Sequence, residues 1–204
     1  MLCQSGDVYS KTDFHFRYDW TDRLTDYIVN FSGWNTAVIW HTYTYPARGF
    51  VVDSVFNYGN SSITDPRPEA GNYSYTMLYT LDRYGRIVKE QEAGSSTVTD
   101  HKYDNRGNLI RSGVTYDNRI NPYQTSLTWM FIFKDYSINN PSLLDGLPIV
   151  IDDYNSFGLP LVLQGIRGYG GAGGVNVFGH HFYRDLHISY ACDPAKVNVP
   201  PKVN

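Results

Sequence analysis

One short pattern recurs along this chain and constrains it more than any other feature. An apolar or tyrosyl residue is followed by Asp or Asn, a few variable residues, Gly, and soon another apolar residue. The clearest copy lies in His101-Lys102-Tyr103-Asp104-Asn105-Arg106-Gly107-Asn108-Leu109-Ile110-Arg111-Ser112, which reads as strand, tight turn, strand. Asp104 opens the turn, where its short carboxylate can accept a hydrogen bond from the backbone N–H two residues on. Gly107 closes it as the left-handed residue of a bulged hairpin loop, a conformation only Gly takes without steric penalty. Tyr103 and Leu109 flank the turn as strand formers that can pack on a sheet.

The unit repeats. Leu81-Asp82-Arg83-Tyr84-Gly85-Arg86-Ile87 puts Leu in the Tyr place. Tyr154-Asn155-Ser156-Phe157-Gly158-Leu159 uses Asn for Asp, and Tyr45-Pro46-Ala47-Arg48-Gly49-Phe50 uses Pro. Tyr18-Asp19-Trp20-Thr21-Asp22-Arg23-Leu24 has Asp22 where Gly is expected, and Asp tolerates the left-handed region better than most residues.

Tyr-Asp-x-x-Gly followed by Arg or Asn and an apolar residue resembles the YD repeat of the Rhs and teneurin families, in which many copies coil into a large β-shell. Five uneven copies are too few for such a shell. The chain more closely resembles secreted lipoproteins of Bacteroidota that carry a few YD-like hairpins. Tyr116-Asp117-Asn118-Arg119-Ile120-Asn121-Pro122-Tyr123, Asn139-Asn140-Pro141 and Gly158-Leu159-Pro160 add to that likeness, which spans most of Phe14 to Tyr190. The resemblance implies a fold and a secreted or cell-envelope location. It implies no activity and no catalytic residues.

Net charge is −3, which leaves no broad basic surface for nucleic acid or an anionic membrane. No apolar run approaches the ~20 residues of a membrane span. Tyrosine is the outlier, 18 of 204 residues, and it suits strands that keep a polar tip at a wet surface. Cys3 and Cys192 lie near opposite ends. An oxidising compartment would let them pair if the termini meet. The family resemblance instead makes Cys3 a lipid-anchoring residue, although only Met1 and Leu2 precede it.

The fold expectation is all-β: an antiparallel meander of YD-like hairpins forming a curved open sheet or half-barrel. Residues 1–11 read as a flexible lead, 12–192 as one β domain, and 193–204 as an extended tail. Phe14–Phe31, Trp34–Tyr58, Asn72–Glu92, Thr97–Ser112 and Leu147–Ile166 read as hairpins. Gly59–Gly71 and the glycine-rich 165–174 read as loops. Leu127-Thr128-Trp129-Met130-Phe131-Ile132-Phe133 is the most apolar stretch and reads as a short helix plus coil, capped by Thr125 or Ser126. A one-layer sheet needs an apolar second layer, and this insertion is the candidate for it.

Candidate chemistry is sparse. In one strand His181, Tyr183, Asp185 and His187 would share a face, but as metal ligands His181, Asp185 and His187 need a further ligand and match no recognised spacing. A polar edge strand explains them without metal, so no metal and no cofactor is expected. Asp152 and Asp153 face opposite ways in a strand and cannot act together without a bulge. No nucleophile elbow is present. Trp34, Trp40 and Tyr43 can form an aromatic platform for a sugar, or belong to the core, and Trp129 marks the apolar insertion. The expectation is a non-enzymatic, monomeric envelope or secreted protein whose β-surface binds a glycan or a protein. The alternative is a half-barrel carrier of a lipid-like ligand, and a hydrolase ranks third.

Overall fold

The structure, a computed structural model, describes residues 2–4, 10–33, 37–58, 72–144, 147–164, 175–177, 180–182 and 186–189. Strands are numbered in chain order, and β1 (Leu2–Gln4) belongs to a small sheet taken up below. The main element is a seven-stranded antiparallel meander. Its strands are β2 (Ser10–Tyr18), β3 (Leu24–Gly33), β4 (Ala37–Ala47), β5 (Phe50–Asn57), β6 (Asn72–Leu81), β7 (Ile87–Glu92) and β8 (Val98–Asp100). They pair in sequence order, with β2 and β8 as the two edges, so the sheet is open and not closed into a barrel.

Four of the five turn copies share one hydrogen-bond pattern. Asp19, Asp82, Asp104 and Asn155 each accept the backbone N–H two residues on and again the one four residues on. In each, the first residue's N–H also donates to the carbonyl four residues on. The fourth position takes a positive φ: +59° at Asp22, +79° at Gly85, +84° at Gly107 and +80° at Gly158. Arg23 and Arg86 add a guanidinium to the carboxylates of Asp19 and Asp82. The copy with Pro46 keeps the left-handed glycine, Gly49 at φ +80°, but proline offers no side-chain acceptor. There β4 runs on to Ala47 and pairs it with Phe50.

These turns fix the register, and the register decides which side chains share a face. On the inner face, Phe16 stands opposite Tyr27, Tyr27 opposite His41, His41 opposite Val55, and Val55 opposite Tyr75. The next row is Tyr43, Asp53 and Met77, and the one after is Val51 and Tyr79. On the outer face, Ile28, Val38, Trp40 and Tyr58 form a separate buried cluster with Phe56 against it. Val38-Ile39-Trp40 thus lies where both faces carry apolar side chains, as its unbroken apolar character implies.

The inner face is covered by the insertion. A 3-10 turn (Pro122–Thr125) leads into α1 (Leu127–Ile132), whose N-cap is Ser126, its hydroxyl accepting the Thr128 N–H. Six residues are too few to hold a helix by themselves, so packing must hold this one. Trp129 meets the edges of Phe14 and Phe16 with ring centroids 5.3 Å away. Phe131 does the same against Tyr43 and Tyr79, at 5.1 and 5.7 Å. Met130, Tyr123 and Tyr136 complete the shared core.

The motifs of the insertion explain one another. β9 (Tyr116–Ile120) pairs with β10 (Asn139–Pro141). Asp117 accepts the backbone N–H and side-chain amide of Asn140 and the hydroxyl of Tyr154. The two further pairs are β11 (Leu143–Leu144) with β12 (Leu147–Pro148), and β15 (Val175–Val177) with β16 (His180–Phe182). A four-stranded sheet has the order β1, β17 (Leu186–Ser189), β14 (Pro160–Leu163), β13 (Ile151–Tyr154). It sends Leu163, Ile188 and Ile151 into the same core.

Three readings need correction. The unit at Thr97–Ser112 is not a laddered hairpin: β8 ends at Asp100, and Tyr103 and Leu109 form a single bridge. Its return limb is claimed by the insertion, since Leu109 N–H donates to Ser137 and the Asn108 amide bonds to Asn139. The lead contains a strand, because Leu2–Gln4 satisfies its backbone on the edge of β17, with Cys3 opposite Ile188. The His180–His187 run is not one strand but parts of two, β16 and β17, in different sheets. The loops 59–71 and 165–174, Cys192 and the tail 193–204 lie outside the described residues.

Since Asn155 performs the same task as the aspartates, an amide should replace the Asp104 carboxylate. Asp104→Asn is expected to change stability by less than about 0.5 kcal/mol and Asp104→Ala to lower it by about 1–2 kcal/mol. Urea denaturation measures both, and equal losses would contradict the shared turn pattern.

Candidate functional site

The inner face and the helix do not close everywhere. Between them lies a cavity of about 160 Å³. Its walls come from the rows described above: Tyr27, His41 and Tyr75, then Tyr43, Asp53 and Met77, then Tyr79. Phe131, Ile132 and Lys134 form the other side. Tyr27, Tyr43, Asp53 and Tyr79 are buried, whereas Tyr75 is 39% exposed. Tyr75 and the partly exposed Lys134 therefore stand where the cavity opens. Cavities of ~150 Å³ hold a six-membered ring.

The floor is an acid–base pair. Asp53 is 2% exposed, and both its carboxylate oxygens lie 3.0–3.1 Å from His41 Nδ1. A carboxylate only accepts, so Nδ1 carries the hydrogen and donates. The two residues are diagonal neighbours on adjacent strands, close enough to meet. The Tyr27 ring lies flat on the imidazole at 4.5 Å and 6°, which fixes its orientation. The Tyr27 and Tyr43 rings stack with their centres 6.1 Å apart.

Burial pushes the hydroxyls of Tyr27, Tyr43 and Tyr79 well above the ordinary tyrosine value, and the negative charge of Asp53 adds to it. Tyr75 is raised by the same two causes. The cavity thus presents neutral O–H groups, aromatic faces and one buried carboxylate–imidazole pair. At the mouth, Lys134 Nζ lies 3.1 Å from Glu90 Oε2 and 5.3 Å from the centre of the Tyr79 ring. Glu90 in turn has His101 Nε2 at 3.5 Å. Lys134 follows the helix with φ +54°. Its N–H and that of Asp135 donate to Phe131 and Met130, the closing pattern in which Gly usually takes the left-handed place.

The residues singled out from sequence fall in different places. Tyr43 lines the cavity. Trp40 is 7% exposed in the outer-face cluster and donates to Asp26, so it offers no wet platform. Trp129 is stacked on Phe133 at 5.7 Å and seals the helix to the sheet. Trp34, Asp185 and the side chain of His181 lie outside the described residues, and His187 is exposed on β17, opposite Val162. Among the described residues no three His, Cys, Asp or Glu side chains converge as a metal site. Asp152 and Asp153 are both exposed, and Asp152 accepts from Gln164.

Asp53 was the missed residue, and it left a signal: an acid at an inward position of Val51-Val52-Asp53-Ser54-Val55. Comparison with family models, curated proteins and solved structures finds no match to this chain.

The buried tyrosines fix a pH dependence. An unfolded tyrosine ionises near 10, whereas Tyr27, Tyr43 and Tyr79 hold their protons to higher pH. Above pH ~10 the unfolded chain therefore loses protons first, and stability, intact below that pH, falls as pH rises. Each such tyrosine should contribute roughly 1.4 kcal/mol per pH unit. Denaturation at a series of alkaline pH values measures this, and stability unchanged to pH ~11 would contradict the buried hydroxyls.

Proposed function

We propose that this chain is a non-enzymatic binding protein, secreted or held at the cell envelope, that takes a terminal ring of a glycan into the tyrosine-lined cavity. The observation that carries the reading is the cavity itself. It combines ring-sized room, aromatic faces for the apolar side of a sugar, and hydroxyl, imidazole and carboxylate groups for its edges. Binding there needs no cofactor and no second copy of the chain. The YD-like turns support the compartment through the lipoproteins they resemble.

The lipid-carrier alternative draws less support. The space beside Phe131 and Ile132 has Asp53, His41 and tyrosine hydroxyls opposite. An alkyl chain would bury those groups without replacing their water, which costs free energy for each. A second space, beside Tyr123 and Leu163, has only about 20 Å³.

The test is saturation-transfer NMR of the protein against a panel of free monosaccharides, repeated with Tyr75→Ala. Tyr75 is 39% exposed, so its loss should weaken binding several-fold and leave the melting temperature nearly unchanged. Absence of binding by every saccharide, or equal binding by the variant, would overturn the reading. Binding of a protein surface in place of any saccharide would redirect it to a protein partner.

A further inference from the structure

The mouth of the cavity already holds a cation. Lys134 Nζ sits over the face of Tyr79, 5.3 Å from the ring centre, and 3.1 Å from Glu90 Oε2. An aromatic face and a carboxylate together are the two elements that attract an organic ammonium. The oxygen is shielded from solvent, so whatever cation it meets is partly desolvated, and the attraction is correspondingly stronger than at an open surface. Deeper in, Asp53 supplies a buried carboxylate, and Tyr43 and Phe131 stand at 74° to each other as adjoining walls. The charged or titratable groups at the cavity and its mouth are Asp53, His41 and Lys134, then Glu90 beside Lys134, His101 at 3.5 Å from Glu90, and Glu92 near Tyr75. Removing the Lys134 charge leaves a surplus of carboxylate.

Lys134 also occupies a strained place. Its φ of +54° is one that a residue with a Cβ adopts at a free-energy cost. Glycine would close the helix there without that cost. A side chain placed at this position against that cost, and set on the cavity's mouth, points to a role for the side chain itself.

We infer that Tyr79 and Glu90 form a cation subsite, that the Lys134 ammonium fills it when no ligand is bound, and that the ligand is an amino sugar whose own ammonium displaces the lysine. This rests on the glycan reading above and narrows it. Lys134 is partly exposed, so its flexible side chain can swing to solvent while the backbone stays in place.

Glucosamine and glucose differ by an ammonium for a hydroxyl and therefore isolate the subsite. Titration calorimetry of the full chain should show glucosamine binding about tenfold tighter than glucose. Lys134→Ala should tighten glucosamine several-fold, because it empties the subsite, and Lys134→Gly, which also removes the Cβ from the left-handed position, should do the same with a higher ligand-free melting temperature than Lys134→Ala. Glu90→Gln should erase the preference for glucosamine. Equal binding of the two sugars, or weaker glucosamine binding by Lys134→Ala, would overturn the inference and leave the glycan reading standing. Choline serves as a third probe. Binding of choline with neither sugar would keep the cation subsite and overturn both the amino sugar and the glycan reading. Binding of none of the three would overturn both.

Discussion

The acceptor at the head of each turn is the interaction on which the rest depends. A carboxylate or amide that takes two backbone N–H groups, followed by a left-handed residue, turns the chain in a fixed number of residues. The register of the meander then places Tyr27, His41, Tyr43, Asp53, Met77 and Tyr79 on one face. A slip by one residue would carry the whole set to the outer face. In Asp82 burial alone would favour the neutral acid, yet the N–H groups and the Arg86 guanidinium win, and its carboxyl is held below the usual range. Asp19 and Asp82 are therefore charged where they act, and Asn155 does the same work as a neutral amide.

The second layer then decides what the inner face becomes. Rings of α1 and its flanks close the face at the β2 end through Trp129 and in the middle through Phe131. Between Phe131 and Asp53 they do not, because the face there carries polar groups that an apolar cover cannot satisfy. The cavity is the consequence of one acid, Asp53, set among aliphatic neighbours and held by His41. Polar groups of this kind are stable in a fold only when each finds a partner, and here His41 and Asp53 partner each other among the tyrosines that line the space.

Much of this was legible in the residues. The turn positions, the helical insertion and a cap at Thr125 or Ser126 all follow from local chemistry. So does the need for a second layer. What was not legible depended on contacts distant in sequence. Asn108 and Leu109 give up a hairpin ladder because Ser137 and Asn139 bid for the same groups. Trp40 is buried because the outer face has its own cluster, which a single strand does not reveal. Lys134 left a trace only in hindsight, as a residue with a Cβ where a helix end favours glycine.

The central claim is that α1 roofs a tyrosine-lined space whose floor is the His41–Asp53 pair. Ring-proton NOEs, together with the imidazole N–H signals, test it most directly. Phe131 should show NOEs to both Tyr43 and Tyr79, whose ring centres lie 5.1 and 5.7 Å away. His41 should show a slowly exchanging Nδ1 proton that disappears in Asp53→Asn. Absence of NOEs from Phe131 to these tyrosines, or a freely exchanging His41 ring, would contradict it.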